Sequence, residues 1–146
     1  MSSIPSFGAP ILGQTEKALN AILHRQLEGT GLTEPQWVTL TMTITGGAAD
    51  RDELVGRVAG VLKVGDVDAQ ARIAELAAAQ LLQVPDDEGS PVQVTEAGQH
   101  LHGRIRTAVT QITQRLWGDL PAEDLATAGR VLSTVLTRAD AELASA

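Results

Sequence analysis

Gln70 and Arg72 stand two residues apart in a stretch with the apolar spacing of a short helix. Glutamine pairs bidentately with adenine and arginine with guanine, so on a helix lying in the major groove these side chains would reach base edges. The competing reading is a solvated helix face, with Arg72 paired to Asp68 or Glu75. Arg51 and Arg57 precede them and suit phosphate contact, or equally the capping and i,i+4 pairs of a surface helix with Asp52 and Glu53. Charge opposes the DNA reading. Residues 50–94 hold nine acids against four bases, leaving −5 of the chain's formal −7. Neutralisation of phosphate by Lys and Arg supplies most non-specific DNA affinity.

His24, His100 and His102 raise the question of a metal. His100 and His102 are two apart on a helix and point to nearly opposite sides, so they do not readily share an ion; no metal and no cofactor is expected. The chain has no cysteine, which excludes disulfides, thiolate zinc sites and cysteine nucleophiles. It also lacks a nucleophile–base–orienter set and a glycine-rich phosphate loop, so an enzyme is not expected. Phe7, Trp37 and Trp117 are the only aromatics, too few for a base-stacking platform along single strands. No apolar run of about 18 residues would span a membrane, and Met1 to Pro10 has no secretory pattern. The expectation is a soluble cytoplasmic protein.

The elements that must position these residues follow from periodicity and caps. Residues 1–9 are rich in Ser, Pro and Gly and are expected to form a flexible arm. Ile11/Leu12, Thr15, Ala18/Leu19, Ile22/Leu23 and Leu27 give a first helix that Gly29 and Gly31 end. Thr33-Glu34-Pro35-Gln36 is a capping box; it opens a second helix carrying Trp37, Leu40 and Ile44 up to Gly46-Gly47. Asp50-Arg51-Asp52-Glu53 is another, opening a short helix with Leu54, Val55, Val58 and Leu62 inward. Gly65 breaks it, and Asp66 or Asp68 starts the next, with Ile73, Leu76 and Leu81 apolar. Two short helices joined around a glycine fit a helix-turn-helix. Leu82-Gln83-Val84 and Val92-Gln93-Val94 flank the acidic turn from Pro85 to Pro91, as in a β-hairpin with a mobile tip. Thr95 caps a long helix with the stripe Ala97, Leu101, Ile105, Ala108/Val109, Ile112 and Leu116. After Gly118 and Pro121 a last helix shows Leu125, Ala128, Val131/Leu132, Val135/Leu136, Ala139 and Leu143. The fold class is mostly α, with a small β-hairpin wing.

This order resembles that of the multiple-antibiotic-resistance regulator (MarR) family of winged-helix transcription factors. Leu32-Thr33-Glu34-Pro35-Gln36-Trp37 is similar to the start of that family's second helix. Leu76 to Leu82 looks like the end of its recognition helix, and Val94-Thr95-Glu96-Ala97-Gly98 like its exit from the wing. The resemblance implies a homodimer held by residues 10–31 and 95–146, with a winged helix-turn-helix lobe over residues 32–94. It implies double-stranded DNA as a partner, a pseudo-palindromic operator, and release by a small anionic or phenolic ligand. The ligand cavity of such proteins would place Trp37 beside His24, His100 and Arg104, as an apolar pocket with a cationic rim suited to an aromatic acid; the other reading is a core Trp closing the lobe. Trp117 is expected in the dimer core. Two departures stand out. The wing tip Asp86-Asp87-Glu88-Gly89-Ser90 lacks the family's arginine, and the reader helix opens on Asp66 and Asp68, which suit a helix dipole but repel phosphate. The alternative function is therefore a winged-helix dimer that has lost DNA binding and acts through protein contacts or ligand capture.

Overall fold

The computed structural model describes residues 6–145. The chain divides into two compact units, Met1–Val109 and Thr110–Ala146. The first five residues of the expected arm lie outside the described residues. Among the described residues, six helices and two strands follow in the order α1 (Ala9–Leu27), α2 (Glu34–Thr45), α3 (Arg51–Leu62), α4 (Asp66–Ala78), β1 (Leu82–Gln83), β2 (Gln93–Val94), α5 (Glu96–Trp117) and α6 (Ala122–Ala144).

Local chemistry sets most of these boundaries. Pro10 lies in the first turn of α1, where helical N–H groups have no partner to lose. The chain leaves α1 through Gly29 and Gly31, both with positive φ. At α2, the Gln36 amide donates to Thr33 Oγ1 (3.3 Å) and the Thr33 amide to Gln36 Oε1 (3.0 Å). At α3 the same reciprocal pair joins Asp50 and Glu53, at 2.8 and 3.3 Å. Each box satisfies two amides that the helix leaves orphaned. The turn between α3 and α4 is three residues long, with Lys63 in the left-handed conformation and Gly65 as N-cap.

The core belongs to the first unit. Leu40 of α2, Leu54 and Val58 of α3, Ile73 and Leu76 of α4, and Leu82 and Val92 of the hairpin are all buried in one cluster. The strands are antiparallel, with Leu82 opposite Val94 and Gln83 opposite Gln93. A bridge between Asp50 and Pro91 ties the hairpin to the start of α3.

The hairpin passes into α5 through one corner. Thr95 Oγ1 donates to the Gln80 carbonyl (2.7 Å) and accepts from the Gly98 amide (3.0 Å). The Thr95 amide donates to the Leu81 carbonyl at 3.1 Å. A Cβ on Gly98 would overlap that carbonyl oxygen and crowd Val94 Cγ1; only glycine lets α5 start this close to β1. From there Gly98, His102 and Ile105 form the buried face of α5.

In the second unit, α6 has no buried residue. Leu125, Val131, Leu132, Val135, Leu136 and Leu143 are all exposed there. Among the described residues, no helix is long and apolar enough to cross a membrane.

Candidate functional site

The helix-turn-helix places α4 across α2 and α3. Ala69, Ile73 and Leu76 are its buried side. On a helical wheel of 3.6 residues per turn, Val67, Ala71, Ala74 and Ala78 lie opposite that side. Val67 is 77% exposed, the largest value among the exposed large apolar side chains of the described residues. The outward centre of the would-be reader is therefore small and apolar, flanked by carboxylates.

The four expected DNA-contact residues fall into two classes. Gln70 and Arg51 are exposed and line one hollow of about 390 Å³ with Val55, Ile73, Ala77 and Asp86. Arg72 and Arg57 are already engaged. Arg72 Nε and Nη2 donate to Glu75 Oε1 and Oε2 at 2.7 and 3.0 Å, the bidentate arrangement that guanidinium and carboxylate favour. That hydrogen bonding raises the arginine's pKa and lowers the carboxyl's. Arg57 Nη1 donates to the carbonyls of Gly46 (2.7 Å) and Gly47 (3.3 Å), closing the C-terminal end of α2. The sequence pointed to pairing with nearby acids; the glycine carbonyls carry no sequence signal as partners.

The four expected ligand residues are dispersed. His24 lines a cleft of about 560 Å³ between the end of α1 and the start of α2, with Leu27, Glu28, Leu32, Thr33, Glu34 and Pro35. His100 and Arg104 are exposed. Trp37 is turned to His102, their rings stacked at 4.7 Å between centroids and 18° between planes. His102 is buried and its Nε2 has no hydrogen-bond partner; nor has buried Thr41 Oγ1, one turn along α2 from Trp37. The register of Gly98 and Ile105, four residues before and three after His102, is the sequence signal that marks it as the inward histidine. Among the described residues, no group of three or more His, Asp or Glu side chains could hold a metal ion.

Burial, and secondarily the charge of Arg106, lowers the His102 pKa. A histidine that resists protonation when folded stabilises the fold above its unfolded pKa of about 6.5, and that contribution is lost as pH falls. The unfolding free energy from urea titration should therefore drop on acidification below that value, by at most about 1.4 kcal/mol per pH unit from this one group. His102→Phe keeps a ring against Trp37 and should flatten the profile. An unchanged profile in that variant would assign the pH dependence elsewhere.

No family model matches the chain, and no curated protein matches it. Solved structures do. A MarR protein from Peptoclostridium difficile superposes with a TM-score of 0.76 at 15% identity, over 97% of this chain and 95% of that one. CouR from Rhodococcus jostii, solved with p-coumaroyl-CoA, gives 0.72 at 16% identity over 86% and 88%. BpsR from Bordetella bronchiseptica, whose DNA binding is regulated by 6-hydroxynicotinic acid, gives 0.70 at 22% identity over 92% and 96%. With its helix-turn-helix, two-stranded wing and glycine corner into α5, the chain has the winged-helix fold of the MarR-family transcriptional regulators.

Proposed function

We propose that this chain is a homodimeric transcriptional regulator that binds a pseudo-palindromic operator through α4 and releases it when a small ligand binds. One observation carries the reading. α4 is seated on α2 and α3 with its opposite face bare, beside a wing, as a helix that enters a major groove must be. The exposed apolar stripe of α6 supports a two-fold partner. Residues 10–31 and 95–146 are then the dimerisation region, and 32–94 the reading lobe. The cleft beside His24 is the proposed effector site. Glu28 and Glu34 in its lining suit an amphipathic amine better than the aromatic acid expected from the sequence.

The test is a fluorescence anisotropy titration with the duplex upstream of the chain's own gene, against a scrambled duplex, at two salt concentrations. Selective binding is expected, with log affinity falling by about 0.9 per phosphate contact for each unit of log salt. The slope should be shallow, because few bases face outward. Gln70→Ala together with Arg72→Ala should erase the preference, at roughly tenfold or more for each bidentate pairing with a base that is removed. The second reading, a dimer acting through protein contacts or ligand capture, is favoured by the engagement of both Arg57 and Arg72. Absence of duplex binding at either salt would select it.

A further inference from the structure

Arg72 is the only base in α4, and its partner Glu75 is held from a second side. Gln36 Nε2 donates to Glu75 Oε1 at 3.0 Å, across 39 residues of sequence. Gln36 is itself fixed, because its Oε1 accepts the Thr33 amide in the capping box of α2. A capping glutamine needs only its carbonyl for that task. Here its amide N–H is spent on the neighbouring helix. The result is a continuous chain of hydrogen bonds from the first turn of α2 to the single cationic side chain of the reader. Arg72 lies on the flank of α4 between its buried side and Glu75, and its side chain is 29% exposed.

We propose that Glu75 restrains the DNA reader and that Gln36 sets the restraint: Glu75 holds the Arg72 guanidinium against the flank of α4, and Gln36 holds Glu75 in place. A base edge or phosphate must displace the carboxylate to gain the Nε–Nη2 edge of Arg72. The inference rests on the DNA-reading proposal and makes Glu75 and Gln36 positioning residues for Arg72.

A damaged structure weakens binding; loss of a restraint strengthens it. Glu75→Gln in the full chain should tighten binding to the upstream duplex by about tenfold, since it frees an arginine for a bidentate or phosphate contact. Asp68→Asn removes one carboxylate from the same helix without freeing Arg72, and should gain no more than about threefold from charge alone. Gln36→Ala should also tighten binding, although it gives up half of a capping box; its urea midpoint reports that loss separately. On an Arg72→Ala background, Glu75→Gln should gain no more than Asp68→Asn. Nitrogen-15 NMR of the free proteins gives a readout without DNA: the Arg72 Nε–H should be protected from exchange, and exposed in Glu75→Gln. If the unaltered chain binds its duplex and Glu75→Gln binds no tighter than Asp68→Asn, the restraint is refuted and the DNA reading stands. If no variant binds any duplex, Glu75→Gln included, the DNA reading falls and the restraint with it.

Discussion

Gly98→Ala is expected to destabilise the helix-turn-helix lobe by about 3 kcal/mol, toward the upper end of what overpacking costs. The added methyl would meet the Leu81 carbonyl oxygen and Val94 Cγ1. Neither gives way easily. The carbonyl accepts the Thr95 amide at 3.1 Å, and Val94 is paired with Leu82 in the two-stranded sheet. Relief would require α5 to lift from β1, pulling Gly98, His102 and Ile105 away from the lobe together. Gly103, on the same helix, has nothing within 4 Å of its would-be Cβ. Gly103→Ala should therefore stabilise the chain, by roughly 0.5–1 kcal/mol from helix propensity. Urea denaturation of both variants decides the matter: midpoints moving in opposite directions are expected, and a Gly98→Ala midpoint at or above that of the unaltered chain would refute the packing argument.

The second large effect concerns association. Leu132→Glu with Leu136→Glu is expected to convert the proposed homodimer into monomers. Both side chains are exposed on α6, at 44% and 57%, within a stripe where no residue is buried. Covering a leucine fully is worth about 1.5–3 kcal/mol, so covering the exposed half is worth about half of that, and a two-fold interface counts each substitution twice. The summed loss corresponds to about two to four orders of magnitude in the dissociation constant, at 1.4 kcal/mol per tenfold. Light scattering coupled to gel filtration would show the mass halve, while circular dichroism confirms that the helices persist. An unaltered chain already monomeric at micromolar concentration would refute the homodimer.

Where the sequence was legible, the signal was local. The Thr33/Gln36 and Asp50/Glu53 boxes join side chains to amides three residues away, and both form as expected. The breaks at Gly29, Gly65 and Gly118 have the same character, and the winged-helix order follows from them. Pairings between elements were not legible. Gln36 reaches Glu75 on another helix, and the sequence offered only its capping role. Arg57 donates to main-chain carbonyls, which every residue carries. Trp37 faces His102 while His100 is exposed, a choice set by the register of α5 on the lobe. Gln80 stands just before β1. Its backbone adopts φ 65°, the left-handed conformation that glycine takes without cost.

The −5 charge of residues 50–94 bears on more than the strength of one contact. A chromosome presents an enormous excess of unrelated sites, and a basic repressor spends most of its time on them. An acidic reader finds little hold on random duplex. Under the DNA-reading proposal, most copies of this chain are therefore free in solution at any moment, and a modest operator affinity competes against almost nothing. Selectivity is then gained by being ignored elsewhere, and occupancy of the operator follows the amount of protein almost directly.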